Sequence, residues 1–138
     1  MLGGFDMILR ESQENYLETI YVLTMQKEVL VRNVRIAEAL RVSKASATVM
    51  LRQLSEDGYV TRNRDGIYTL TETGEEIGRK VYDRHCYFSL LLQKSGVEKA
   101  TAEAEACRME HILCDESFEK IKRYLNAAGV MAGSAAER

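Results

Sequence analysis

Apolar residues recur every three or four positions along most of the chain, which is the spacing of an amphipathic helix. The pattern predicts helices over 12–26, 34–40, 43–57, 72–93, 101–114 and 115–128. Ser12 and Ser43 stand where a hydroxyl can cap the first helical N–H groups, and Gly58 follows the third helix as an end signal. Residues 1–11 predict a loose arm, and the Ala/Gly/Ser-rich tail 129–138 predicts disorder.

The helical spacing is interrupted between residues 59 and 70. Two short β-type runs, 59–62 and 67–70, flank an Asp65-Gly66 pair, which is typical of a β-hairpin. A short helix, a tight break, a second helix and a hairpin follow one another here. This is the order of a winged helix-turn-helix, and its second helix is expected to enter the major groove of DNA.

Composition places the 138-residue chain among soluble globular proteins, since 46% of its residues are hydrophobic and 29% are charged. No apolar run is long enough to cross a membrane, and the first residues contain no secretory signal, so we expect a cytoplasmic protein. Cys86, Cys107 and Cys114 are an odd number of cysteines and are expected to be reduced there.

The formal net charge of −2 conceals two regions of opposite sign. Residues 31–64 contain seven basic and three acidic residues, a net +4, which leaves −6 for the rest. Candidate DNA contacts lie in this basic region: Arg32, Arg35, Ser43, Lys44, Ala45, Ser46, Thr48, Arg52, Arg62 and Arg64. The alternative is a winged helix that contacts protein and carries these charges as an ordinary solvated face.

A second cluster, in 105–111, points to metal chemistry. Cys107, Glu110 and His111 are spaced i, i+3, i+4 and would share one face of the predicted helix 101–114. Thiolate, carboxylate and imidazole together suit a divalent transition metal. His85 lies on the inward stripe of the preceding helix, and Asn15 with Glu18 shares a face of the first helix. Each also has a plainer interpretation: a core histidine, a buried thiol or a solvated polar pair.

Five segments resemble the diphtheria toxin repressor family and its manganese transport regulator branch. They are 12–21 (SQENYLETIY), 36–40 (IAEAL), 42–54, 65–74 (DGIYTLTETG) and 105–111 (EACRMEH). The resemblance implies a mainly α fold, with an N-terminal winged helix-turn-helix over 1–74 and an all-helical dimerisation and metal-binding domain over 75–128. The chain resembles the short branch, which lacks an SH3-like third domain.

The resemblance also implies a ligand set. Cys107, Glu110 and His111 match the family's metal-binding motif, and Glu18 and His85 match ligands of the manganese branch. Asn15 falls where the family places Met or Asp and offers only a neutral amide oxygen. Ser89 and Glu103 replace a Glu and a His of an iron-type second site, which weakens that site here.

These features predict a homodimeric, metal-dependent repressor that binds a palindromic operator in double-stranded DNA and has no enzymatic activity. Fe(II) or Mn(II) is the expected metal, and Co(II), Ni(II) or Zn(II) are expected to bind in vitro. One alternative is a metal-independent winged-helix regulator that responds to a small molecule or a protein partner. A metallohydrolase is a further alternative, disfavoured because no His-Glu-x-x-His motif and no separate general base are present.

Overall fold

The structure is a computed structural model that describes residues 3–27 and 29–131, with side chains described from residue 11 onward. The elements of this part of the chain are α1 (Gly3–Met25), α2 (Asn33–Leu40), α3 (Lys44–Glu56), β1 (Val60–Arg62), β2 (Tyr68–Leu70), α4 (Glu72–Lys94), α5 (Lys99–Met109) and α6 (Asp115–Ala127). The predicted fold class, mainly α with a winged helix-turn-helix, is confirmed. Two compact units divide between Tyr82 and Asp83, inside α4 and later than the predicted boundary after residue 74.

The first unit packs three helices and the hairpin around one apolar core. Its largest fully buried side chains come from four elements and are at most 1% exposed: Leu17, Ile20, Ile36, Leu51, Leu54 and Val60. Arg41 adopts left-handed backbone angles (φ 57°) and closes the tight turn between α2 and α3. The predicted cap of α3 is confirmed, since the Ser43 hydroxyl accepts a hydrogen bond from the Ser46 N–H at 3.0 Å.

The predicted hairpin forms the wing of this unit. β1 and β2 are antiparallel, with Val60 opposite Leu70 and Arg62 opposite Tyr68. Gly66 has a positive φ of 79°, a conformation that glycine adopts without strain, and so closes the turn. The wing is also hydrogen-bonded to the segment before α2: the Tyr68 N–H donates to the Val31 carbonyl at 2.8 Å.

The beginning of α4 packs closely on α1 within the first unit. A Cβ at Gly78 would lie 2.7 Å from the carbonyl oxygen of Leu17, which is nearer than two such atoms approach. Glycine at this position therefore permits a helix contact that any larger residue would push apart. The rings of Tyr21 and Tyr82 meet at 5.9 Å between centroids.

The second unit has its own core, formed by the end of α4 with α5 and α6. Tyr87 and Phe88 of α4 pack against Phe118 of α6, with ring centroids 5.5 Å apart in each pair. Met131 is 1% exposed in this core, so the disorder predicted for the tail is wrong at its last described residue. The remainder of that prediction, residues 132–138, lies outside the described residues.

The first helix is longer than the spacing predicted. It begins at Gly3, so Ser12 lies in its interior and is not an N-cap, and the loose arm predicted over 1–11 is helical from Gly3 onward. Residues 5–11 contain Met, Leu, Arg and Glu, which favour helix, and no proline, so nothing local stops the helix there. None of the helices in the described part of the chain combines the length and apolar character that a bilayer crossing requires.

Candidate metal centre and nucleic-acid interface

Three possible metal ligands lie together in the second unit. His85 belongs to α4, Cys107 to α5, and Glu110 directly follows the last turn of α5. His85 Nδ1 lies 3.1 Å from Glu110 Oε2 and 3.6 Å from Cys107 Sγ. The three donor atoms are all within 4.8 Å of one another. Two segments distant in sequence therefore direct an imidazole, a thiol and a carboxylate to one point.

The spacing of these donor atoms fits a single transition-metal ion. Neighbouring ligands bound at about 2.0–2.3 Å are separated from one another by about 2.8–3.8 Å in octahedral or tetrahedral coordination. Both distances at His85 Nδ1 fall in that range. A mixed sulfur, nitrogen and oxygen set suits Fe(II), Co(II), Zn(II) or Mn(II) better than the all-oxygen preference of Ca²⁺ or Mg²⁺.

Glu110 is the central residue of the cluster. It is only 1% exposed, and its second oxygen, Oε1, lies 3.2 Å from Nε2 of the buried His111 ring. Burying a carboxylate is costly unless polar partners compensate it, and the hydrogen bond between His85 Nδ1 and Oε2 meets part of that cost here. Cys107 is exposed, so the cluster is open to solvent on the side of the thiol.

The surroundings of His85 favour its protonated form. Hydrogen bonds to Cys107 and then to Glu110 raise the pKa of His85 from 6.5 to about 10, although burial of the ring acts in the opposite direction. An imidazole binds metal in its neutral form. A proton and a metal ion therefore compete for this ring.

The prediction that one helix over 101–114 carries all three motif residues is wrong in its last turn. α5 ends at Met109, and Glu110 is its C-cap with near-helical angles (φ −63°, ψ −20°). Glu110 therefore stays close to Cys107, whereas His111 lies in the turn that leads to α6. Beyond Met109, the carbonyls of Glu110 and Leu113 accept hydrogen bonds from the Arg84 side chain of α4. No sequence signal singled out Arg84.

Asn15 and Glu18, the other two residues predicted as ligands, are half-buried on α1 of the first unit. Their role comes from the family resemblance and stays a prediction. At the weakened second site, Ser89 is buried and accepts a hydrogen bond from Gln93 Nε2 at 3.0 Å, while Glu103 is exposed on α5.

The predicted DNA contacts form an exposed face of the first unit. All ten are exposed except Thr48, which is half-buried. They lie on or beside α2, on α3 with its cap, and on the hairpin: Arg32, Arg35, Ser43, Lys44, Ala45, Ser46, Thr48, Arg52, Arg62 and Arg64. The exposed N-terminal turns of α3 are thus free of covering protein within this unit.

A cleft of about 610 Å³ opens on this face, and its charge is predominantly positive. Its charged lining residues are four basic side chains and one acidic side chain: Arg32, Lys44, Arg52, Arg62 and Asp65. They come from three segments, which the fold brings together. Such a cluster of cations is the electrostatic footprint expected of a surface that binds the DNA phosphate backbone.

Two contacts that the sequence did not predict hold this face together. Asn33 Nδ2 donates to the Thr48 hydroxyl, which in turn donates to the Lys44 carbonyl at 2.9 Å, so α2 is tied to α3. Arg32 Nε donates to the Asp65 carbonyl at 3.1 Å and ties the hairpin turn to the start of α2. Arg32 therefore has a structural contact in addition to its predicted role on DNA.

Two family models match consecutive parts of the chain. The model described as "Iron dependent repressor, N-terminal DNA binding domain" matches residues 8–66. The model described as "Iron dependent repressor, metal binding and dimerisation domain" matches residues 71–129. Together they account for most of the chain. The first covers the candidate DNA contacts, and the second covers His85, Cys107, Glu110 and His111.

Curated relatives agree with these models. The chain is 32% identical over 118 residues to an uncharacterized HTH-type transcriptional regulator of Methanocaldococcus jannaschii, an alignment that covers 85% of this chain and 94% of that protein. It is 34% identical over 110 residues to the HTH-type transcriptional regulator MntR of Lysinibacillus sphaericus, with 80% and 78% covered. MntR of Bacillus subtilis is 33% identical over 110 residues, with 80% and 77% covered.

Solved structures share the fold. The manganese regulator SloR superposes with a TM-score of 0.71 at 28% identity, and a manganese-dependent transcriptional repressor in complex with manganese has a TM-score of 0.71 at 27% identity. Each covers 83% of this chain, which spans about half of their length, 53% and 52%. The family resemblance predicted from the sequence is confirmed. The chain belongs to the iron dependent repressor family, whose members are metal-dependent DNA-binding transcriptional repressors and not enzymes.

Proposed function

We propose that Fe(II) or Mn(II), bound at His85, Cys107 and Glu110, makes this chain competent to repress transcription from a palindromic operator in the cytoplasm. The observation that carries the proposal is the convergence of three different ligand types within 4.8 Å in the domain that the family uses for metal binding. The DNA-binding function is assigned to residues 1–74, and dimerisation and metal binding to residues 75–128.

The proposed ligand set extends beyond these three residues. His111 is included because its ring contacts the other oxygen of Glu110 at 3.2 Å. Glu18 and, as a weaker amide ligand, Asn15 are included on the family resemblance alone. These additions bring the proposed set to six residues, as many as the positions around one octahedral ion.

The ligands themselves explain why metal would act as a switch. Without metal, His85 Nδ1 lies within hydrogen-bond distance of both the Glu110 carboxylate and the Cys107 thiol. A bound divalent cation supplies two positive charges and a fixed geometry. Residues of α4 and of the turn after α5 are then held in one arrangement. Metal favours the conformational state that has this arrangement to the extent that this state binds metal more tightly than the others.

The identity of the metal depends chiefly on Cys107. A thiolate favours Fe(II), Co(II) and Zn(II) over Mn(II), because Mn(II) prefers oxygen ligands. Two of the similar solved structures are the manganese regulator SloR and a manganese-dependent transcriptional repressor in complex with manganese. Cys107 therefore supports Fe(II) and the resemblance supports Mn(II), so a titration must compare both.

On DNA, we assign base reading to the first turns of α3 and phosphate contacts to the wing. Small side chains at Ser43, Ala45 and Ser46 allow the helix to approach base edges closely in the major groove. Arg62 and Arg64 on the hairpin are placed to neutralise flanking phosphates. A two-fold symmetric dimer presents two such helices, which implies an operator with two symmetric half-sites.

Selection of duplexes from a random pool tests this function. The protein is incubated anaerobically with Fe(II), with Mn(II) or with chelator, and bound DNA is sequenced after repeated rounds. We expect a palindromic consensus in the presence of metal, with half-sites about one helical turn apart. The same consensus and equal affinity in chelator would contradict metal dependence and would favour a regulator that responds to another signal.

A further inference from the structure

Arg84 carries a buried positive charge next to the metal cluster. Its side chain is 7% exposed, and it reaches from α4 to the turn between α5 and α6. One terminal nitrogen, Nη1, donates to the carbonyls of Glu110 (3.3 Å) and Leu113, while Nη2 pairs with the Asp115 carboxylate. The guanidinium carbon also lies 5.0 Å from the centre of the Phe118 ring.

These contacts hold both ends of one turn. Glu110 begins the turn after α5, and Asp115 begins α6. The carbonyls at the end of a helix need hydrogen-bond donors from outside it, and burying a guanidinium is costly unless several acceptors surround it. A planar group with several donors in fixed directions meets both requirements, which the single ammonium of lysine does not.

Arg84 also adjoins the cluster along α4. The next residue, His85, contacts the Glu110 carboxylate at 3.1 Å, whereas Arg84 contacts the Glu110 main-chain carbonyl. α4 therefore fixes this one residue twice, through its backbone and through its side chain. Because Glu110 is the most deeply buried of the proposed ligands, a change in its backbone position would move its carboxylate relative to His85 and Cys107.

We propose that Arg84 is a positioning residue of the metal centre: it does not touch the metal but holds the turn that carries Glu110 in the arrangement that binds metal. The inference rests on the proposed metal site. Groups that orient the ligands of a metal usually change metal affinity by about 10–100-fold when they are removed.

Anaerobic titration with Co(II) tests this, because cobalt bound to a thiolate has a characteristic absorption band. The variants are Arg84→Met, which keeps an unbranched side chain, Arg84→Lys, and Arg123→Met as a control at an exposed arginine of α6. We expect Arg84→Met to bind Co(II) about 10–100-fold more weakly with an altered band. Arg84→Lys should recover part of the affinity, and the control should match the wild type.

A second readout needs no metal. Amide hydrogen exchange in metal-free protein should be faster over residues 110–114 in Arg84→Met than in the control, because the turn has lost its donors. If Arg84→Met does not fold, Co(II) binding is measured with Arg84→Lys and Asp115→Asn instead. Weaker Co(II) binding by these folded variants supports the inference.

The outcomes separate this inference from the function on which it rests. Absence of a thiolate–cobalt band in the wild type, or its persistence in Cys107→Ser, would contradict the proposed metal site itself. A normal band in the wild type, together with unchanged affinity, spectrum and exchange in the folded Arg84 variants, would overturn the role of Arg84 alone.

Discussion

The metal cluster and the DNA-binding face differ in how strongly binding depends on each single residue. In the cluster, three donor atoms lie within 4.8 Å of one another around Glu110, which is 1% exposed. On the DNA-binding face, ten residues spread over α2, α3 and the hairpin, and only Thr48 is not exposed. Coordination requires every ligand in place, whereas phosphate attraction is the sum of many similar charges. Single substitutions should therefore abolish metal dependence but only weaken DNA binding.

The largest expected effect comes from Glu110→Gln. The amide keeps the shape of the side chain but removes the negative charge that lies between His85 and His111. We expect the increase in DNA affinity on adding metal, about 5–150-fold for a typical coupling, to fall to about 1. Fluorescence anisotropy of labelled operator with and without Mn(II) or Fe(II) measures this ratio.

The matched control for this substitution is Glu105→Gln, an exposed glutamate on α5. It removes the same charge from the same unit without touching the cluster, so its metal response should equal that of the wild type. A normal response in Glu110→Gln, or an equal loss in both variants, would show that the cluster is not the site of metal action.

A smaller effect, on selectivity rather than on response, is expected from Cys107→Asp. Replacing sulfur by oxygen should shift the ratio of Mn(II) to Co(II) affinity towards Mn(II) by about tenfold or more. Cys114→Asp is the control, since Cys114 is an exposed N-cap of α6 where aspartate is also a favourable cap. Competition with a metal-binding dye gives both affinities, and an unchanged ratio would remove Cys107 from the ligand set.

Arg52→Ala tests the DNA-binding face. Loss of one phosphate contact should weaken binding by about fivefold and reduce the slope of log affinity against log salt concentration by about 0.9. The loss should be similar for all sequences, and Co(II) affinity should not change. Arg123→Ala is the control at an exposed arginine of the second unit. A loss of DNA affinity of more than a hundredfold would show that Arg52 contributes far more than one of many similar phosphate contacts.

The smallest expected effect is on stability at Ser43. Ser43→Ala removes the hydroxyl that caps α3 and should lower the free energy of unfolding by about 1 kcal/mol. Ser43→Asp retains a cap but places a negative charge toward the proposed phosphates, so it should preserve stability and weaken DNA binding. Thermal denaturation and operator titration of both variants separate the two roles. Equal stability of Ser43→Ala and wild type would show that the cap contributes nothing.

Sequence reasoning succeeded where structure is determined locally. The cap at Ser43 and the hairpin turn at Gly66 depend on residues within a few positions, and both are present as predicted. The meeting of Cys107 with Glu110 also follows from spacing along α5 and its C-cap. Charge counting located the basic face for the same reason, because its residues are concentrated between 31 and 64.

Sequence reasoning failed where distant residues decide the outcome. α5 ends at Met109 although the apolar spacing continues through that point. The carbonyl of the next residue, Glu110, is bonded by Arg84 of α4, which is distant in sequence. Met131 lies in an Ala/Gly/Ser-rich segment yet packs in the second core. Nothing near either residue in sequence indicates these contacts.

The central claim is that metal binding and operator binding are coupled, and the most direct measurement determines that coupling from both sides. Operator affinity is measured with Mn(II) or Fe(II) and with chelator, and metal affinity is measured with and without operator. Thermodynamic linkage requires the same factor in both experiments, and we expect about 5–150-fold. A factor of 1 in both, with metal bound at the cluster, would contradict metal-dependent repression.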